Sequence, residues 1–113
     1  MKTVHLCRAP VDFRRSVNGL SLLVEQALTL NPFSDQTLFV FVNRRRDRVK
    51  ILYWERNGFC LWYKRLEVDR FYWLKPDESA TAVVSSQELN WLLDGFDIWS
   101  RPPHRELSCA SCG

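Results

Sequence analysis

The segment from Leu38 to Leu74 alternates between apolar runs and two strongly polar breaks. The runs are rich in β-branched and aromatic residues, which favour strands. The first break, at 43–48, carries four arginines and one aspartate, and the second is Arg56-Asn57-Gly58. An Asn-Gly pair supplies the positive-φ residues that a two-residue type I′ turn requires. The pattern therefore predicts an antiparallel meander with strands at 38–43, 48–55, 59–66 and 70–74.

A tight hairpin that closes at Asn57-Gly58 also predicts which side chains share a face of the sheet. Directly opposed residues share a face, and the predicted pairs are Trp54 with Leu61, Leu52 with Tyr63, and Lys50 with Arg65. Both faces are then partly apolar. We therefore expect helices to cover one face and the other to stay half covered, with aromatic rings beside cations.

Two amphipathic patterns flank the meander. Asp12 is expected to cap a helix that runs to about residue 30, because apolar residues recur after it at three- and four-residue spacing. Ser85 and Glu88 have the spacing of a capping box, and Gly95 is a natural end, so a second helix is expected at 86–95.

The remaining ordered segments are short. Weak alternation at 3–7 predicts a short edge strand, and 82–84 is expected to be extended. The sequence therefore predicts a single α+β domain over 1–100, with a four- to five-stranded antiparallel β-meander and two helices packed mainly on one face. An added N-terminal strand would make the sheet mixed. Residues 101–113 are expected to form a loose tail.

Composition narrows the class of protein further. A chain of 113 residues suffices for one compact domain, and 46% hydrophobic with 26% charged residues is typical of soluble proteins. No apolar run is long enough to span a bilayer, and the N-terminus lacks a signal-peptide core. Four cysteines without an export signal favour reduced thiols. We therefore expect a cytoplasmic protein that does not bind membranes.

Basic residues cluster more strongly than the net charge of +3 suggests. Guanidinium groups at a hairpin tip are donor forks that fit phosphate oxygens. The alternative is a solvated turn that only keeps the protein soluble and discourages edge pairing. The candidate nucleic-acid-binding residues are Arg44, Arg45, Arg46, Arg48 and Lys50, with Lys64 and Arg65 as an extension of the patch.

Aromatic residues accompany these cations. Rings on an open sheet face can stack on bases or dock a partner protein. The alternative is that large rings fill the core of a small sheet. The candidate partner-binding residues are Tyr53, Trp54, Trp62 and Tyr63.

Candidate catalytic and metal-binding groups are sparse. The carboxylates are scattered along the chain, whereas a two-metal nuclease needs several that converge. Cys109 and Cys112 form a lone CxxC, and a structural zinc site needs four ligands. We therefore expect no enzymatic activity, no metal site and no cofactor.

Several stretches of the sequence follow, in order and with similar spacing, the pattern of one known family over about residues 3–98. They include the Leu-Leu-Asp-Gly sequence that closes the second predicted helix, and the main ones are 12–20, 31–34, 38–41, 46–54 and 58–67. On these stretches the sequence resembles the small accessory protein, often called TnpB or Orf-two, of the bacterial insertion sequences grouped as family sixty-six. That protein is unrelated to the RNA-guided nuclease of the same name.

The resemblance implies a role in DNA transposition beside a separate, larger transposase that holds the catalytic carboxylates. The family has no established catalytic residues. Taken together with the basic turn, it favours a non-catalytic accessory that contacts the ends of the element and assists the transposase. The alternative is a protein–protein module that docks the transposase or self-associates as a homo-oligomer, with no direct DNA contact.

Overall fold

The computed structural model describes residues 2–74 and 79–100. The described residues form one five-stranded sheet with the strand order β4-β3-β2-β1-β5 and two helices. In chain order the elements are β1 (Thr3–Cys7), α1 (Val17–Gln26), β2 (Thr37–Val42), β3 (Arg48–Glu55), β4 (Gly58–Arg65), β5 (Thr81–Val84) and α2 (Ser86–Leu93). The predicted α+β class is confirmed. The predicted tail at 101–113 lies outside the described residues.

The predicted meander is present as β2, β3 and β4, but the N-terminal strand is not at an edge. β1 lies between β2 and β5, parallel to β2 and antiparallel to β5. Val4 and Leu6 of β1 are fully buried, as expected of an interior strand. A parallel pair requires a crossover connection, and α1 with its flanking loops supplies it. The sheet is therefore mixed.

The strand predicted at 70–74 is absent, and that prediction was wrong. Phe71 and Trp73 are buried in the core, but the segment does not join the sheet. The amide of Phe71 donates to the carbonyl of Arg46, and the indole of Trp73 donates to the carbonyl of Cys7. An extended segment that packs on a sheet buries alternate residues just as a strand does, so the two share one sequence pattern.

The first helix is shorter than predicted. α1 begins after Ser16, and Asp12 is not its N-cap. Asp12 instead accepts hydrogen bonds from the backbone and the guanidinium of Arg14. The apolar spacing before residue 17 belongs to a loop that packs Val11 and Phe13 against the core.

The second helix begins as predicted. The hydroxyl of Ser85 accepts from the amide of Glu88, and the carboxylate of Glu88 accepts from the amide of Ser85. This capping box satisfies two amides at the start of α2. Gly95 follows the helix with φ of 96°, a conformation that glycine adopts without strain.

The helices cover opposite faces of the sheet, so the prediction that they lie mainly on one face was wrong. Phe39 and Phe41 of β2 pack with Leu20 and Val24 of α1. Alternate β2 residues point the other way and pack with α2, Phe71 and Trp73. The central strands are therefore buried on both faces, which a parallel β1–β2 pair requires.

The β3–β4 hairpin turns one position earlier than predicted. Glu55 pairs with Gly58 and Trp54 with Phe59, so the turn residues are Arg56 and Asn57. Arg56 adopts φ of 53°. The pairing therefore shifts by two residues from the predicted register. Because side chains alternate with a period of two, the predicted division of residues between the faces still holds.

Candidate functional site

The candidate site is centred on the arginine turn, residues 43–48, which joins β2 to β3. Asn43 organises this turn and is only 7% exposed. Its Nδ2 donates to Asp47 Oδ1 at 2.7 Å, and its Oδ1 accepts from the amides of Asp47 and Arg48 at 3.1 and 3.0 Å. The hydrogen bond from Asn43 is the main cause that lowers the pKa of Asp47. The turn therefore has a fixed loop geometry.

Two neighbouring segments hold the backbone of the turn from outside. The carbonyl of Arg46 accepts from the amide of Phe71 at 2.7 Å, and that of Asp47 accepts from the amide of Leu66 at 2.8 Å. Arg46 itself adopts φ of 63°, which is uncommon for a residue with a Cβ. These bonds stabilise that conformation.

The four arginines of the turn differ in exposure. Arg44 and Arg45 are exposed, whereas Arg46 and Arg48 are half-buried. The Nε of Arg45 lies 3.9 Å from a carboxylate oxygen of Asp47, and an ion pair of this length whose arginine is mostly exposed contributes little. The Nε of Arg48 is buried and has no hydrogen-bond partner.

A groove of about 420 Å³ runs beside the turn. The loop before α1 forms its opposite wall, where Asp12 and Arg14 are paired. The guanidinium of Arg14 lowers the pKa of Asp12 to about 2. Four arginines and one aspartate line the groove, which is therefore electropositive: Arg14, Arg44, Arg45, Arg48 and Asp12.

A wider cleft of about 1060 Å³ lies on the other side of the turn. Arg45, Arg46 and Arg70 contribute to its walls, but so do four carboxylates. The cleft is therefore close to neutral and less suited to an anion than the groove. Its acidic residues are Asp47, Glu67, Asp69 and Asp94.

Both lysines among the predicted DNA contacts have partners inside the protein. Lys50 Nζ donates to the carbonyls of Phe13 and Arg15, each at 2.9 Å. Burial lowers the pKa of Lys50. Lys64 Nζ donates to the carbonyl of Leu93 at 2.7 Å, where a cation also complements the C-terminal end of α2. Both lysines connect a strand to the segment packed against it.

Arg65 lies at the end of β4, opposite Arg48 across the hairpin. Its Nη2 is 3.0 Å from Glu67, and both side chains are mostly exposed. Such a surface ion pair is weak, so Arg65 can exchange this carboxylate for another anion. Arg65 thus lies next to the arginine turn and can interact with an anion bound there.

The four candidate aromatic residues are divided between the two faces of the hairpin. Trp54 and Tyr63 lie on the α1 face, and Tyr53 and Trp62 lie on the α2 face. Trp62 is 40% exposed and Tyr63 50%. These residues therefore do not form one continuous stacking platform.

Trp54 belongs to an aromatic cluster at the turn end of the hairpin. Its ring centroid lies 5.2 Å from that of Phe33 and 5.0 Å from that of Phe59, both edge-on. Phe33 comes from the loop after α1 and had no periodic signal in the sequence. The sequence pattern did not single out Asn43 either, although a polar residue directly after an apolar strand often organises a turn.

Neither a cluster of metal-ligating side chains nor a membrane-spanning helix occurs in the described part of the chain. Residues 2–74 and 79–100 contain no group of three or more His, Cys, Asp or Glu side chains that could hold a metal ion. The predicted CxxC, Cys109 and Cys112, lies outside these residues. None of the described helices is long and apolar enough to cross a bilayer.

Comparison with known proteins shows that the chain is an accessory-type protein of bacterial insertion sequences. It belongs to the family of IS66 Orf2-like proteins, whose pattern matches residues 2–103. This confirms the resemblance seen in the sequence and supports a transposition-related accessory role.

Two relatives come from Sinorhizobium fredii (strain NBRC 101917 / NGR234). "Uncharacterized protein y4jC" is 39% identical over 92 residues, covering 81% of this chain and 76% of the relative. "Uncharacterized protein y4hO" is 36% identical over 99 residues, covering 88% and 84%. No solved structure matches the chain.

Proposed function

We propose that this protein is a non-catalytic accessory in the transposition of an insertion sequence and contacts DNA phosphates through the arginine turn. A separate transposase carries out the chemistry. The observation that carries the proposal is the convergence of Arg44, Arg45 and Arg48 along one groove, beside a turn with a fixed backbone. Membership of the IS66 Orf2-like family supplies the transposition context.

The chemistry of these side chains favours phosphate. A guanidinium donates two parallel hydrogen bonds to a phosphate, and such charge-assisted bonds are among the stronger ones in proteins. Arg48 also lines the groove, so a phosphate bound there would be surrounded by the guanidinium groups of Arg44, Arg45 and Arg48. Because Asn43 holds the turn, little ordering is needed on binding.

The hydrogen bonds of the two lysines reduce the set of residues that we propose to contact DNA. Arg44, Arg45, Arg46 and Arg48 remain the proposed contacts, with Arg65 at the margin. Lys50 and Lys64 are assigned a supporting role, because their ammonium groups already donate to carbonyls within the protein. The proposal therefore predicts that DNA affinity depends on the turn and much less on these two lysines.

Salt dependence gives the first test. If the turn neutralises about four phosphates, the logarithm of affinity for duplex DNA should fall against the logarithm of salt concentration with a slope of about −3 to −4. A slope near zero would contradict the electrostatic proposal. Binding is followed with labelled duplex DNA from the ends of the element.

Two triple variants that lose the same number of positive charges test whether DNA affinity depends on the position of the arginines or only on net charge. The turn variant is Arg44→Ala, Arg45→Ala and Arg46→Asn; asparagine is chosen because it tolerates the positive φ at 46. The control is Lys2→Ala, Arg56→Asn and Arg70→Ala, which removes the same number of charges from positions that do not line the groove. The turn variant should lose most of its DNA affinity, and the control should keep it. Equal losses would overturn the proposal.

A second candidate function is a protein-interaction module that docks the transposase. The exposure of Trp62 and Tyr63 favours it, since aromatic residues are enriched at protein interfaces. Under this alternative, Trp62→Ala should abolish capture of the transposase, and the triple arginine change should leave capture intact. Co-purification of each variant with the transposase of the same element distinguishes the two candidates.

A further inference from the structure

β4 is an edge strand with an open side. It is the first strand in the order β4-β3-β2-β1-β5, and within the described residues its only strand partner is β3. It is eight residues long and pairs with β3 at every position. An edge of this kind presents a row of backbone donors and acceptors that another strand can pair with.

The hairpin geometry indicates which backbone groups point outward. A two-residue turn makes Glu55 and Gly58 a hydrogen-bonded pair, and hydrogen-bonded pairs alternate along an antiparallel ladder. Residues 58, 60, 62 and 64 therefore direct their amides and carbonyls to β3. The residues that direct these groups to the open side are Phe59, Leu61, Tyr63 and Arg65.

β4 carries few of the usual devices that block edge pairing, and its two cations lie at one end of the strand. The strand contains no proline, and its ladder with β3 has no bulge. Its one lysine, Lys64, donates to the carbonyl of Leu93 on the α2 side. The other edge strand, β5, has only four residues and leads directly into α2. β4 is thus the edge better suited to pairing.

We propose that β4 pairs antiparallel with β4 of a second copy of this chain, about a two-fold axis at Trp62, to give a continuous ten-stranded sheet. A two-fold axis perpendicular to the sheet keeps the α1 faces of both copies on one side. Residues must then pair with residues of the same parity. This register places Trp62 opposite Trp62 of the second copy, and Leu61 opposite Tyr63.

The charges along β4 favour this partner and this direction. Both cations of the strand, Lys64 and Arg65, lie at one end. In the antiparallel register Arg65 lies opposite Phe59 of the second copy, within reach of a cation–π contact, and Lys64 lies opposite Cys60. A parallel arrangement would set each cation beside its own copy, which is destabilising. The strand is therefore self-complementary when antiparallel.

The exposed side chains of β4 fit the same arrangement. Trp62 is 40% and Tyr63 is 50% exposed, on opposite faces of the strand. Pairing would cover both rings with the residues facing them in the second copy. The dimer would also carry an arginine turn near each end of its central strand pair. Pairing through β4 does not require DNA binding.

Sedimentation velocity over a concentration series tests the dimer on the full chain. Wild type should associate to a dimer, and Tyr63→Lys should weaken the association by about tenfold or more, because it adds a third cation to the pairing edge. The matched control is Val83→Lys on β5, which is also exposed and at the opposite edge. It should leave the dimer unchanged. A wild type that stays monomeric, or a control that dissociates equally, would overturn the proposal.

A disulfide trap tests the register. In a background of Cys7→Ala, Cys60→Ser, Cys109→Ser and Cys112→Ser, the change Trp62→Cys should give a covalent dimer under oxidised glutathione. Residues that face each other without hydrogen bonds have Cα atoms about 4.5 Å apart, within the range for a disulfide. Val83→Cys in the same background should stay monomeric. Cross-linking at 83 and none at 62 would show that the copies meet elsewhere.

Discussion

The carboxamide of Asn43 holds Asp47 from two sides, because it donates to the carboxylate at 2.7 Å and accepts from the amide at 3.1 Å. These two residues lie at the base of a turn whose tip is formed entirely by arginines. The side chains of the tip repel one another, so a rigid base is needed to keep them close. The buried amide of Asn43 thus stabilises the turn together with the backbone hydrogen bonds from Leu66 and Phe71.

Replacement of Asn43 by alanine should destabilise the protein. Asn43→Ala removes three hydrogen bonds from a largely buried side chain and leaves the amides of Asp47 and Arg48 without that acceptor. We expect the free energy of unfolding to fall by about 2–3 kcal/mol. Urea denaturation followed by tryptophan fluorescence measures the change.

Asn90→Ala is the matched control, because Asn90 is exposed on α2 and alanine favours a helix. Its free energy of unfolding should stay close to that of wild type. Asn43→Asp adds a second test, since it sets one carboxylate against another. This variant should be less stable than wild type at neutral pH and recover part of the difference in mild acid. Equal stability of all three variants would show that the amide does not organise the turn.

The exposed pair of Asp12 and Arg14 should give a small acid dependence of stability. Hydrogen bonds from Arg14 lower the pKa of Asp12 from 3.8 to about 2. A carboxyl group whose pKa is lower in the folded state stabilises the fold above its unfolded pKa and loses that effect as the pH falls through the folded value. The contribution should therefore be present above pH 3.8 and be lost progressively toward about pH 2.

Comparison of wild type with Asp12→Asn measures this contribution. The difference in thermal unfolding temperature should shrink as the pH is lowered from 5 to about 2. Added salt should reduce the difference at pH 5, because the pair is exposed to solvent. A difference that stays constant over the whole range would indicate that the pair does not affect folding.

Local sequence signals predicted the individual strands and helices better than the way in which these elements are arranged in the sheet. The β2–β4 meander and the start of α2 were predictable because alternation, turn residues and the Ser85–Glu88 capping box act within a few residues. The interior position of β1 was not predictable in this way. It depends on pairing with β2 across more than thirty residues, and only Val4 and Leu6 hint at burial.

The candidate site shows the same limit. The arginines could be found from their spacing alone, but the difference between an available cation and a structural one is a tertiary property. Lys64 and Arg65 are neighbours in the sequence, yet one donates to the end of α2 and the other pairs with Glu67 at the surface. The two side chains differ because α2 lies on the face of the sheet to which Lys64 points. The local sequence pattern does not show which helix covers which face.

A substitution of Lys50 can distinguish a role in stability from a role in DNA binding. Its ammonium group donates to the carbonyls of Phe13 and Arg15 and lies 4.8 Å from the centre of the Phe13 ring. Lys50→Met keeps the aliphatic stem but removes both hydrogen bonds. We expect the free energy of unfolding to fall by about 1–3 kcal/mol, because two carbonyls lose a charged donor.

The same variant should bind DNA with nearly unchanged salt dependence under conditions where it is folded. Arg44→Met is the matched control, because it removes one positive charge from an exposed position of the arginine turn. It should leave stability almost unchanged and make the salt slope shallower by about one unit. If Lys50→Met reduced the slope as much as Arg44→Met, Lys50 would have to be returned to the set of phosphate contacts. The loop before α1 would then have to release it on binding.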